Sequence, residues 1–281
     1  MENVARIGIV IPTNLELQPF LKLIPSLKLE AKHPWELYSA AINGVALRII
    51  ISYIGPANAA AATERLCDFT PQVVLHGGSA GAINKELMPG DVVIGKICKP
   101  LCSREILEVR KTLLLSNKAI RYTQEGEGVH VEHLETNKEL LQLAADAASV
   151  VNAFSAWDKG GWPSSISSRT ANVIQGTLGS QDGWTKDKDG LDFLRAEFGV
   201  DSEDMESAFV AQIAAKHKLP FLAVRAISNN EYVATLQKHE IFPAVRDAAE
   251  RATAVLYGVI EKLAAAGAEK QIGKNEVHNA D

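Results

Sequence analysis

Short apolar runs, interrupted at intervals by glycine, proline and small polar residues, set the pattern of this chain. Arg6 to Ile11 reads as a short buried strand; Pro12-Thr13-Asn14 breaks it, and helical periodicity takes over from Leu15 to Ile24. Trp35–Ile42 and Val45–Tyr53 read as strands joined by Asn43-Gly44, a pair suited to a two-residue turn with positive φ at both central positions. Gly55-Pro56-Ala57-Asn58 opens an alanine-rich helix to about Phe69, and a buried strand over Val73–His76 leads into Gly77-Gly78-Ser79-Ala80-Gly81. After a turn at Pro89-Gly90, Asp91–Ile94 is again a strand. The later pattern predicts helices over Asn137–Val150, Leu191–Phe198 and Ser207–His217, strands over Ala171–Gln175 and Phe221–Ile227, and a closing helix over Pro243–Ala266. Strands alternating with helices predict an α/β fold of three layers, α/β/α, in which a mostly parallel sheet is covered on both faces.

Two stretches resist this reading. Between Lys96 and Arg169 the periodicity is weak apart from the one helix, and Trp157 to Ser165 reads as a loop or insertion. Residues 267 to 281 lack apolar periodicity and are expected to be disordered. No internal repeat and no linker divides the rest, so residues 1 to 266 are expected to form one domain.

Composition narrows the function classes. Among 281 residues, 47% are hydrophobic, enough for a sizeable core. A net charge of −5 and a pI near 5.9 give no basic footprint, which speaks against a nucleic-acid partner. Cys67, Cys98 and Cys102 form neither an even disulfide framework nor a spaced set with histidines, so no metal site is expected. No apolar stretch reaches the roughly 18 residues of a membrane span, and Met1-Glu-Asn-Val has no basic segment or cleavage site before the first strand. The expected location is the cytoplasm, with no membrane partner.

The chemistry concentrates in residues 204 to 229. Asp204-Met205-Glu206-Ser207-Ala208 opens a helix, and Arg225 and Asn229 stand where the strand Phe221–Ile227 runs out. Ligands of open α/β sheets bind at the carboxyl ends of the strands, so Glu206, Arg225 and Asn229 are expected to converge on one small polar pocket. The glycine segment Gly77–Gly81 lacks the spacing of a P-loop or a dinucleotide fingerprint. Taken alone it is a tight strand-to-helix turn; in company, its glycines let backbone amides approach a ligand, and Ser79 adds a hydroxyl for a water, an anion or a ribose oxygen.

Ile7-Gly8-Ile9-Val10, Gly78-Ser79-Ala80-Gly81, Pro89-Gly90-Asp91-Val92-Val93-Ile94, Asp204-Met205-Glu206-Ser207-Ala208 and Pro220-Phe221 through Ser228 occur in one order and spacing. Together they resemble the nucleoside phosphorylase and nucleosidase superfamily, and within it the hydrolytic branch of methylthioadenosine/S-adenosylhomocysteine nucleosidases, over about residues 5 to 265. The resemblance implies that Glu206 accepts hydrogen bonds from the ribose 2′- and 3′-hydroxyls, a task suited to a carboxylate with two oxygens. Met205 would line the sugar and base. Glu16 would activate the attacking water, with Ser79, Gly81 and Arg225 fixing both water and glutamate. Trp184, in the loop Ser180-Gln181-Asp182-Gly183-Trp184-Thr185, would stack on the purine, while backbone groups of Trp184 and Thr185 read the base edge. Read alone, Glu16 and Glu206 are ordinary helix N-terminal acids, Met205 and Trp184 are packing residues, and Arg225 is a structural ion-pair partner.

One position departs from the adenine-specific pattern. There the residue after Arg-Ala-Ile-Ser is an aspartate that protonates purine N7; here it is Asn229, whose amide cannot deliver a proton at neutral pH. Asparagine at this place resembles members that handle 6-oxopurines. Phosphorylases of this family carry arginines for phosphate, where this chain has Pro12-Thr13-Asn14-Leu15 and His76; a strand-end histidine is a neutral packed residue unless protonated for an anion. The expectation is therefore an N-ribosyl hydrolase acting on a small-molecule purine nucleoside without a cofactor, with a 6-oxopurine preference. A purine nucleoside phosphorylase and a non-catalytic nucleoside-binding or storage protein stay open. The resemblance also implies a homodimer or higher homo-oligomer, whose neighbouring subunit completes the 5′ side of the pocket.

Overall fold

A computed structural model describes residues 4–101, 119–122, 128–131, 133–154 and 170–278. In chain order these form β1 (Arg6–Ile11), α1 (Asn14–Leu23), β2 (Lys28–Ala31), β3 (Leu37–Ile42), β4 (Val45–Ile51), α2 (Pro56–Cys67), β5 (Val73–Ala82), β6 (Val92–Pro100), β7 (Ala119–Tyr122) and β8 (Gly128–Val131). There follow β9 (Leu134–Glu135), α3 (Lys138–Ala147), a 3₁₀ turn over Ala148–Ala153, β10 (Val173–Ser180), α4 (Lys188–Phe198), β11 (Ser202–Asp204), α5 (Ser207–Lys216), β12 (Phe221–Asn229) and α6 (Lys238–His278). The expected loop at 157–165 and Cys102 lie outside the described residues.

The main sheet runs β11-β10-β6-β12-β5-β1-β4-β3-β2, with β9 on β6. It is mixed, as two parallel blocks. β4, β1, β5 and β12 are parallel to one another, as are β6, β10 and β11, and the blocks meet antiparallel at β6 and β12. The hairpin of β3 and β4 turns at Asn43 and Gly44, both with positive φ (50° and 83°), as the Asn-Gly pair predicts.

Two features depart from expectation. The glycine segment is not a turn after a four-residue strand: β5 continues through it to Ala82, because β12 pairs with it as far as Gly81 and occupies its backbone hydrogen bonds. Nor is the sheet open at its β11 edge. Ser202 and Glu203 of β11 pair antiparallel with Ala82 and Gly81, which joins β11, β10, β6, β12 and β5 into a closed circuit. At the chain end, α6 runs from Lys238 to His278. Extending an existing helix needs no new nucleus, and Ala268, Glu269, Lys270 and Gln271 are good helix formers without any apolar periodicity.

Strand alternation sends side chains to two separate cores. On one face Ile7, Ile9 and Ile11 join Leu17 and Phe20 of α1, Leu140 of α3 and Val255, Leu256 and Val259 of α6. Across the sheet Val10, Ile50 and Val74 join Ala59, Ala62 and Leu66 of α2 and Ala208, Val210 and Ala211 of α5. The three layers expected from the alternating pattern are thus present. A smaller cluster under α4 includes Ile83, Leu101, Leu194 and Phe198.

Close packing of α6 on α3 yields a test of sign. A Cβ added at Gly258 would lie 2.9 Å from Cβ of Ala147. Alanine in a helix is ordinarily favoured over glycine by about 0.5–1 kcal/mol, whereas forced overpacking costs about 1–3 kcal/mol. Gly258→Ala should therefore lower stability in urea denaturation; a gain would show that the helices separate freely.

Candidate active site

Three strand ends and two helix starts meet at one place. Thr13 caps α1: its hydroxyl accepts from the Glu16 N–H at 3.3 Å and donates to Glu16 Oε2 at 2.8 Å. Thr-x-x-Glu is the capping-box spacing, and it fastens the Glu16 carboxylate at the end of β1. From β5, Ser79 donates to Glu16 Oε1 through its N–H at 2.8 Å and its hydroxyl at 3.1 Å. Gly78 has a specific role here. A Cβ at this position would come within 2.5 Å of Arg225 Nη1 and 2.6 Å of Glu16 Oε1, so only glycine lets the carboxylate and guanidinium close over the strand.

Arg225 is the centre of the network and is only 1% exposed. Its Nε lies 3.0 Å from Asp204 Oδ2 and 3.0 Å from Ser207 Oγ; Nη2 lies 2.9 Å from Glu206 Oε2, and Nη1 donates to the Ser79 carbonyl at 3.2 Å. Nη2 also meets Nε2 of His76. The guanidinium can only donate, and the Val10 carbonyl 2.8 Å from His76 Nδ1 can only accept. His76 is therefore the neutral tautomer protonated on Nδ1, and burial next to Arg225 pushes its pKa down to about 3.

The acidic partners are fixed as firmly. Asp204 accepts from the N–H groups of Glu206 and Ser207, each at 3.0 Å, and from Ser180 Oγ at 2.5 Å. Glu206 Oε1 accepts from the Gly55 N–H at 3.0 Å, at the start of α2. Burial raises its carboxyl to about 7, against the pull of Arg225.

On the opposite wall Gly81 has a neighbour on each side. Glu203 of β11 and Asn229 of β12 are both in register with it. Asn229 Oδ1 accepts from Ser228 Oγ at 2.9 Å, and its Nδ2 donates to Glu231 Oε1 at 3.1 Å. Buried Glu203 accepts from the Thr185 N–H and hydroxyl, both at 2.8 Å, and from the Gln181 amide, so it ties the 181–185 loop to the sheet; burial raises its pKa.

These groups surround a cleft of about 220 Å³. Glu16, Ser79, Gly81, Trp184, Met205, Glu206, Arg225 and Asn229 all line it. Thr185 does not. Its N–H is committed to Glu203 and cannot read a base edge, because a buried carboxylate next to a loop takes the nearest donors. Trp184 is 40% exposed at the rim, with Lys186 Nζ 4.2 Å from its ring centroid, which leaves one ring face for another partner. Sequence reasoning missed Thr13, although Thr-x-x-Glu signals it, and missed Glu203, whose only sign is an acid in a short strand. Glu231 had no sign at all, since its place depends on the turn that follows β12.

Comparison with known proteins adds three findings. A family model described as "Phosphorylase superfamily" matches residues 6–264. The 5′-methylthioadenosine/S-adenosylhomocysteine nucleosidase of Glaesserella parasuis is 26% identical over 262 residues, covering 92% of this chain and all of the relative. Among solved structures, the nucleosidase of the same name from Neisseria meningitidis, in complex with methylthio-immucillin-A, superposes with a TM-score of 0.72 at 21% identity over 92% of this chain and 100% of that one. The futalosine hydrolase of Helicobacter pylori does so with a TM-score of 0.70 at 18% identity, over 92% and 98%.

The buried network yields a stability prediction. Arg225→Met would strand two carboxylates, Asp204 and Glu206, without their cation. Breaking a buried pair in this way costs about 3–5 kcal/mol, to be read by urea denaturation. A loss near zero would mean that the carboxylates find other partners.

Proposed function

The chain belongs to the phosphorylase superfamily, and from that premise we propose that its cleft hydrolyses the N-glycosidic bond of a purine nucleoside, releasing the free base and a ribosyl product. The observation that carries this reading is the Glu16 carboxylate, held by Thr13 and Ser79 next to the Glu206–Arg225 pair. A general base needs a fixed carboxylate within reach of a water.

In this reading Glu206 accepts from the ribose hydroxyls. As the bond from C1′ to the base nitrogen lengthens, the electron pair passes to the base and positive charge develops on the sugar. The anionic Glu16 and Glu206 stabilise that charge where it forms. A water then adds its oxygen to C1′ and gives a proton to Glu16. Asn229 serves the departing base by hydrogen bonding alone: its N–H donates to a 6-oxo group, the departing purine anion takes a proton from solvent at N7, and the amide carbonyl accepts from the N7–H so formed. This favours a 6-oxopurine over adenine. Names of the relatives support a nucleosidase on either side of this choice, adenine-type for the Neisseria protein and futalosine for the Helicobacter one. Apolar Ile54, Leu236, Ile241 and Val245 also line the cleft and suit a substrate with a poorly hydrated substituent.

Water is favoured over phosphate as nucleophile by the state of the cations. His76 is buried and neutral, with both ring nitrogens engaged, and Arg225 is spent on Asp204 and Glu206. A phosphate dianion needs paired positive charge. We further propose that the active form is a homodimer or higher homo-oligomer.

Chromatography of inosine, guanosine, adenosine, methylthioadenosine and S-adenosylhomocysteine incubated with the protein should show base released without phosphate, and faster from the 6-oxopurine nucleosides. A strict phosphate requirement would make it a phosphorylase, and binding without any release would make it a binding protein. Glu16→Gln should cut kcat by about 10²–10⁴ and leave nucleoside binding intact. The pH dependence follows from Glu206. Only its ionised form accepts from both hydroxyls, and its pKa is near 7, so nucleoside affinity measured by calorimetry should rise as pH rises through 7. His76 stays neutral over that range, and Glu206→Gln should flatten the profile.

A further inference from the structure

Asn229 is not a free amide at the cleft wall. In β12 the register against β5 shifts between Ile227 and Asn229, so Ser228 is the extra residue of a bulge and Asn229 comes level with Gly81. Bulges re-aim side chains. Here the shift lays the amide over the bare glycine, where an added Cβ would lie 3.3 Å from Nδ2 and 3.4 Å from Oδ1. Beyond the strand, Asn230 ties the turn down by donating to the Leu87 carbonyl at 2.7 Å. Glu231 then arrives behind Asn229, 4% exposed and not among the cleft-lining residues. Its Oε1 accepts from Asn229 Nδ2 at 3.1 Å and its Oε2 from Thr235 Oγ1 at 2.7 Å.

We propose that Glu231 decides which purine the cleft takes, by holding the Asn229 amide in one of its two orientations. The inference rests on the proposed nucleoside site and deepens it. A primary amide can read a purine edge in two ways. It can donate to N7 while accepting from a 6-amino group, or donate to a 6-oxo group while accepting from the N7–H that a 6-oxopurine carries once it is released as the free base; rotating the amide by half a turn exchanges the two. A carboxylate only accepts, so the nitrogen of Asn229 must face Glu231, and Ser228 Oγ donates to the oxygen at the other side. A rotated amide would set its oxygen against the carboxylate and lose that hydrogen bond. Thr235 keeps the carboxylate from turning away. Glu231 is thus a positioning residue that acts through Asn229.

The test is Glu231→Gln, a side chain of the same shape that can donate or accept and so permits both orientations. For wild type and variant, kcat/KM is measured for inosine and adenosine, and Kd for free hypoxanthine and adenine by calorimetry. We expect the wild-type preference between the bases to collapse toward unity by about tenfold, the equivalent of ~1.4 kcal/mol of discrimination, chiefly by gain on the disfavoured base. An unchanged ratio, with both bases weakened alike, would reduce Glu231 to a structural role and overturn the proposal; so would a wild type without preference, or one that binds neither base. If the variant does not fold, Thr235→Val releases the carboxylate while keeping its charge and should shift the ratio in the same direction, with an unchanged ratio again counting against the proposal. The base-binding arm separates the two readings. Selective base binding that Glu231→Gln abolishes, in a protein that releases no base from any nucleoside, would sustain this inference and sink the hydrolase.

Discussion

Everything at the carboxyl end of the sheet is arranged around one buried guanidinium. Taking a cation out of water costs several kcal/mol, and its attraction to nearby anions offsets this only when its donors are satisfied with good geometry. Arg225 meets that condition with Asp204, Glu206, Ser207, Ser79 and His76. These partners come from two distant parts of the chain, β5 and residues 204–207, so the demand of one side chain becomes a demand on the fold. Position 78 must have no side chain, His76 must stay neutral with its proton toward Val10, and α5 must begin within reach of the end of β12.

The closing of the sheet meets that last demand. In a fully open sheet β11 would stand at the far edge, beyond β10 and β6, and Asp204 would be distant from Arg225. Pairing Ser202 and Glu203 with Ala82 and Gly81 folds that edge back onto β5. The glycines of β5 thereby serve two surfaces: Gly78 admits the Arg225–Glu16 approach, while Gly81 lies level with Glu203 on one side and Asn229 on the other. A segment whose glycines look like a turn is better understood as a strand kept bare so that polar groups from both neighbours can converge over it.

Much of this was legible in the sequence, for physical reasons that differ by residue. The layers were legible because short, continuously apolar runs such as Ile7–Ile11 alternate with helical periodicity, as strands buried on both faces do. The cleft residues Glu16 and Glu206 were legible because each sits at a helix start, and Arg225 because a charged residue inside the apolar run of β12 is conspicuous. The extent of β5 was not, since backbone pairing with β12 overrides the turn preference of glycine and pairing is set by tertiary structure. The engagement of Thr185 was hidden for a related reason: loop donors go to whatever acceptor the fold places nearest, and Glu203 reaches its N–H and hydroxyl from another strand.

The same logic bears on the asparagine at the cleft wall. An aspartate at 229 would set a second carboxylate at about the 3.1 Å that now separates Nδ2 from Glu231. Two carboxylates so close cannot both ionise, and one would retain a proton. Asn229 beside Glu231 has the opposite character, a neutral donor matched to an anionic acceptor. No proton is shared, and the pair is defined by direction and not by titration. In the proposed function the chain would have at this position a group that orients the base without protonating it. In the proposed hydrolysis, catalytic power would then come from the sugar side, where Glu16 and Glu206 would place negative charge next to the bond that breaks.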